Sequence, residues 1–203
     1  MTAAAIRVSP TVADLFAPAC RWRRVVYEVA LVLTGTVLLA LSAQAAIVLP
    51  FSPVPVTGQT FAVLLIGAAF GARRGAATMI AYLLEGAAGL PVFAGWSGGA
   101  LHLVGPTGGY LAGFVAAAWL VGILSEHGWD RQPMRTALAM TLGTVTIFVS
   151  GLIWLSAFVP SDALLAMGCW PFLPGAALKI VLAMGLVPVA RRVLDRFAPH
   201  PRG

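Results

Sequence analysis

The stretch RWRRVVYEVALVLTGTVLLALSAQAAIVL, residues 21–49, decides how the rest of the chain is read. Three arginines, Arg21, Arg23 and Arg24, stand at the head of an apolar run from residue 25 to residue 49. About 20 apolar residues suffice for a helix to cross a bilayer, so this run predicts one tilted span. Ala43-Gln44-Ala45 has the form of a signal-peptidase site. The run before it is longer than the roughly 7–15 residues of a secretory signal, and no cleavage is expected.

The same alternation continues outward. Further apolar runs cover residues 59–70, 75–90, 108–125, 136–159 and 172–189, giving six predicted spans. Prolines at 50, 53 and 55 forbid a continuous helix between the first two. Residues 71–74 read as a tight basic turn, and 91–107 as a long Gly-rich segment that folds back over the bundle. Non-helical backbone at that depth must be buried in protein. Residues 1–19 lack an apolar run and are expected to be a mobile lead. The domain reading is a lead at 1–20, a six-helix membrane domain at 21–195 and a tail at 196–203.

Composition agrees with this all-α integral membrane reading. Of 203 residues 60% are hydrophobic and 10% charged, with a mean hydropathy of +0.92. Soluble domains carry about a quarter charged residues. The net charge of +6 does not point to nucleic acid, because the basic residues form small clusters between apolar runs rather than a stripe. Anionic membrane lipid suits such clusters better. All twelve arginines fall near the N-terminus, in the 71–74 turn, in the 126–135 loop or near the C-terminus, and none in 50–58, 91–107 or 160–171. The positive-inside rule then places both termini in the cytoplasm. Cys20 and Cys169 fall on opposite faces and cannot pair.

Lys179 is the sole lysine and lies inside the sixth run. An ionisable residue there marks a function by default; snorkelling to the interface is the alternative. Glu85 is the one acidic residue well inside a span, about 9 Å below the same outer face at 1.5 Å per residue. The two could pair, or each could meet a polar ligand. Gln44, Thr57 and Gln59 gather at the outer end of the first hairpin, where helix–helix hydrogen bonding is the plainer reading. Phe93 and Trp96 are either interfacial anchors or a pocket wall. No Gly-Lys-Ser/Thr string is present, so an ATPase is not expected, and no His/Cys set has metal-ligand spacing.

Gly95-Trp96-Ser97-Gly98 matches the G-x-S-G string of rhomboid intramembrane proteases, with His102 nearby. Rhomboids take serine and histidine from separate helices, whereas here both lie in one loop, and a motif without its context carries little.

Three ordered blocks resemble a different family. Residues 51–64, from Phe51-Ser52-Pro53-Val54-Pro55 to Leu64, resemble the first-loop signature of BioY, the biotin-specific S-component of energy-coupling factor transporters. Gly89-Leu90-Pro91-Val92-Phe93-Ala94-Gly95 with Gly105-Pro106-Thr107-Gly108-Gly109-Tyr110-Leu111 resembles the second block, and Pro171-Phe172-Leu173-Pro174-Gly175 with Lys179 the third. The resemblance implies the six-helix S-component fold and a multi-pass protein of the bacterial inner membrane. It implies biotin as ligand, with no cofactor, and a BioN-like coupling subunit and a BioM-like ATPase as partners. The implied site includes Lys179, Glu85, Tyr82, Phe93, Gly95, Trp96, Ser97, Thr57, Gln59, Gln44 and Gly175. The family commonly carries Asp where this chain has Ala176. Glu85 is therefore expected to supply the missing acid or to orient Lys179. The alternatives are an S-component for another vitamin and a serine protease built on Ser97.

Overall fold

A computed structural model describes residues 9–197. Six helices of twelve residues or more dominate them: α2 (Arg21–Gln44), α3 (Gln59–Phe70), α4 (Ala72–Ala87), α6 (Gly108–Glu126), α7 (Pro133–Leu155) and α9 (Leu173–Phe197). Three short helices, α1 (Val12–Leu15), α5 (Leu101–Val104) and α8 (Leu164–Gly168), lie before or between them. Four helical segments among the described residues are long and apolar enough to cross a membrane; α3 is apolar but shorter. The exposed faces are themselves apolar, as Val25, Val29, Leu33, Val37 and Leu41 on α2 show. In water such a surface would be costly; against hydrocarbon it is not.

α6 is the central helix, with Tyr110, Phe114, Ala117, Ala118 and Val121 buried among α3, α4 and α7. Small residues allow that closeness. A Cβ on Gly67 of α3 would stand 2.7 Å from the Ala118 carbonyl oxygen, so only glycine fits there.

Several predicted boundaries move. The basic turn at 71–74 does not exist as a loop. Gly71 alone, at φ +85°, breaks the chain, and helix resumes at Ala72 with Arg73 and Arg74 inside it. Glycine reaches that left-handed φ without a Cβ penalty, so a single residue suffices. The first run does not stay helical to residue 49. It ends at Gln44, and Ala46–Ile47 pairs antiparallel with Val56–Thr57. The prolines that forbid helix favour the extended backbone of this hairpin. The fifth helix begins at Pro133, where the fixed φ of proline suits a first turn, and the sixth continues to Phe197.

The lead is also corrected: its described part is docked. Thr11 and Ala13 are buried. The Asp14 carboxylate accepts from Arg74 Nη1 at 2.7 Å, and Tyr27 Oη donates to Ala13 O at 2.8 Å. Arg74 also makes a forked pair with Glu28, at 2.5 and 2.8 Å. Arg191, 1% exposed, donates to Pro10 O and faces Asp130 and Asp195 at 3.7 and 3.2 Å. These bonds gather the basic segments at one end of the bundle. Polar residues in a segment without apolar periodicity had partners far away in sequence, which no local pattern reveals.

Candidate functional site

The opposite end is closed by the connecting segments. The hairpin loop meets the α7–α9 connection where Ser52 Oγ donates to Met167 O at 2.7 Å. Tyr110 Oη donates to Gly168 O at 2.7 Å, and Trp154 Nε1 to Gly105 O at 2.9 Å. Beneath this cover lies a chamber with about 70 Å³ of free space. Its walls are apolar and aromatic: Leu64 from α3, Tyr110 and Phe114 from α6, Phe148 from α7 and Phe172 before α9. Tyr110 and Phe114 are four residues apart, as are Thr144 and Phe148, so each pair shares one helix face.

The polar groups converge from the hairpin. Lys179 Nζ donates to Thr57 O at 2.6 Å and to Thr60 Oγ1 at 2.8 Å. Thr57 Oγ1 donates to Gln59 Oε1 at 3.1 Å, Gln59 Nε2 donates to Tyr82 Oη at 2.7 Å, and Tyr82 Oη donates to Val92 O at 2.8 Å. A continuous chain of bonds thus links the ammonium to the outer Gly-rich segment. Tyr82 is wholly buried, so every bond in its neighbourhood that is lost leaves an unsatisfied group.

A second, more open cavity of about 390 Å³ adjoins the first. The two share Pro55, Gln59, Thr107 and Leu111, and the outer one adds Phe93, Ser97 and His102. Its rim is a tight turn in which Gly95 and Trp96 both take positive φ, +68° and +55°. For tryptophan that conformation is uncommon. Gln44 holds it from α2, its Nε2 donating to Phe93 O at 3.1 Å and its Oε1 accepting from Trp96 N at 3.0 Å.

Of the residues expected in the site, Thr57, Gln59 and Lys179 line the inner chamber, and Gln59, Phe93 and Ser97 the outer one. Gln44, Tyr82, Gly95 and Trp96 form the supporting frame. Gly175 does not line either cavity, and its own Cβ position is open. Ala176, one residue on, does line the chamber with Lys179. Glu85 lies outside this set. Among the described residues it makes no ion pair and lines neither cavity.

Sequence reasoning missed Thr60, Tyr110, Phe114, Thr144, Phe148 and Phe172 as walls. The four-residue spacing on α6 and α7 was a usable signal, but in a membrane helix any apolar face looks alike. Ser97 Oγ donates to Ala94 O at 2.8 Å, and the His102 ring packs on Phe93 with centroids 5.5 Å apart. Neither arrangement forms a serine–histidine pair.

Residues 12–196 match the BioY family. The chain is 35% identical over 157 residues to the probable biotin transporter BioY of Pyrococcus horikoshii, covering 77% of this chain and 91% of that protein. It is 36% identical over 182 residues to the biotin transporter BioY of Rhodobacter capsulatus, covering 82% and 92%. The fold is similar to the crystal structure of the S-component for biotin from an ECF-type ABC transporter. That match has a TM-score of 0.73 at 25% identity and covers 86% of this chain and 95% of the other.

Proposed function

The chain belongs to the BioY family, and on that premise we propose that it captures biotin and carries it across the membrane as the substrate-binding subunit of an ECF transporter. The observation that carries the reading is the inner chamber, which one ammonium, four threonines and an amide line together with an aromatic wall. Biotin has the complementary parts: a ureido group that both donates and accepts, an apolar thiophane and alkyl chain, and a carboxylate. Pockets for small ligands combine apolar walls with a few placed polar groups in this way.

In this reading six spans cross the bacterial inner membrane, with both termini in the cytoplasm. The end carrying Arg74, Arg131 and Arg191 faces inward, and the two cavities open outward. The inner chamber is far smaller than the several hundred Å³ of a typical ligand pocket. Loading therefore requires the hairpin and the 91–107 segment to part. Release inward is coupled to a transmembrane partner of BioN type and an ATPase of BioM type, since the chain has no phosphate-binding loop to hold ATP.

Titration of the purified protein with biotin is expected to show saturable binding at one site per chain. In a biotin-requiring host, uptake through this chain is expected to depend on the ATPase partner. Absence of saturable biotin binding, with another vitamin binding instead, would replace the ligand while keeping the transporter class.

A further inference from the structure

We infer that α9 is hinged at residues 185–188, and that its outer half, residues 173–184, is a movable wall that swings from α3 and widens the inner chamber from the side. The biotin reading above supplies the ligand that would pass; the hinge itself rests on the helix and its neighbours.

The local chemistry comes first. Pro188 lies inside α9. Its ring nitrogen has no hydrogen to donate, so the Met184 carbonyl one turn earlier is left without its helix bond. Gly185 lies in the same turn, and after proline no residue weakens a helix interior more than glycine. A Cβ built on Gly185 meets nothing within 4 Å, so no close neighbour requires glycine there. Gly67 of α3 is the contrast, because packing excludes a side chain from it. Bends in helices concentrate at proline and glycine of this kind.

The two sides of the break are held differently. Along 173–182 no residue is buried, and Ala176 and Lys179 meet the chamber rather than a packed neighbour. On the inner side Pro188 and Arg191 are buried. Arg191 donates to Pro10 O and faces Asp130 of the α6–α7 connection at 3.7 Å. The inner half is thus tied to the lead and to that connection, while the outer half has no such anchor. Segments with few buried contacts are the ones that open at low cost.

The direction of the swing follows from the neighbours. α9 packs chiefly on α7, which makes α7 the pivot side. Toward α3 the seam is open. The chamber lies between the two helices at the outer end, and a groove of about 230 Å³ continues inward between Leu65, Ala68 and Ala69 of α3 and Leu186, Val187 and Ala190 of α9. Among the described residues, the side-chain hydrogen bonds that cross the outer end of this seam are those of Lys179, to Thr57 O at 2.6 Å and Thr60 Oγ1 at 2.8 Å. Moving the wall costs those bonds and little packing.

Stiffening the turn tests the hinge. Pro188→Ala restores the amide, and Gly185→Ala adds helix propensity in open space. In purified full-length protein the double variant is expected to slow both association and dissociation of biotin roughly five- to tenfold. The dissociation constant is expected to change by less than about twofold, because neither residue lines the chamber. Hydrogen exchange of the ligand-free protein is the second measure. Amides of residues 176–184 are expected to exchange about fivefold more slowly in the double variant, and those of 190–196 at their former rate. Unchanged binding rates overturn the inference, and so does unchanged exchange over 176–184. Should the double variant not fold, Gly185→Ala alone decides, with both binding rates expected to fall about threefold. If the unaltered protein binds no biotin, it is the biotin reading that fails, and the exchange comparison still decides on the hinge.

Discussion

At the scale of single residues, the most informative side chains are those that hold backbone in place rather than those that touch open space. Gln44 has both ends of its amide engaged by the outer turn, and that turn contains a tryptophan at positive φ. Such a conformation costs of order 1 kcal/mol or more and persists only when its surroundings impose it. Gln44→Leu is expected to free the turn and speed ligand dissociation several-fold, read by dilution of bound biotin. Unchanged dissociation would mean the turn is not part of the closure. Tyr82 belongs to the same logic. Tyr82→Phe leaves Gln59 Nε2 and Val92 O without their buried partner, a loss of about 1–3 kcal/mol. Weaker biotin binding together with a lower melting temperature is the expected result. Tyr82 was foreseen as a site residue, but its role as a link was not, because the bond to Val92 crosses from a helix to a loop.

At the scale of elements, two packings can be tested separately. The α3–α6 contact leaves no room for a side chain at Gly67. Gly67→Ala is expected to destabilise the bundle by about 1–3 kcal/mol, the usual penalty of overpacking, measured as a lowered midpoint of thermal unfolding. An unchanged midpoint would show that the helices can separate at little cost. The docked lead depends on Asp14. Burial by itself would raise its carboxyl pKa, but hydrogen bonds from Arg74 and Thr11 outweigh this and hold it below the ordinary 3.8. A carboxyl lowered on folding contributes stability that is complete above its unfolded value and lost as pH falls through the folded one. Residues 9–16 are therefore expected to stay protected from hydrogen exchange at neutral pH and to lose protection below about pH 4. Asp14→Asn is expected to abolish that acid step. Protection that persists unchanged into acid would remove Asp14 as the anchor.

At the scale of the whole molecule, the separation of charge between the two ends carries the proposed orientation. Exposed Cys20 stands beside the first arginine cluster. With Cys169 replaced by serine, a membrane-impermeant maleimide is expected to label Cys20 only after the cells are permeabilised. Labelling of intact cells would invert the topology. The arginine count carries this expectation, because the cost of moving such charges across hydrocarbon acts on composition and not on detailed packing.

What the sequence alone determined follows from local or additive physics. The helical membrane character came from the length and hydropathy of the apolar runs, the break at residues 50–58 from prolines that cannot sit in a helix, and the unusual status of Lys179 from being a lone ammonium among apolar neighbours. What only the tertiary structure decided are the pairings between distant segments: Lys179 with the Thr57 carbonyl, Gln44 with the outer turn, Asp14 with Arg74, and the place of Glu85 outside both cavities. These depend on the rotation of each helix about its own axis. In a lipid-embedded bundle both faces of a helix are apolar, so hydrophobic periodicity does not encode that rotation, and close packing around glycine and threonine sets it instead.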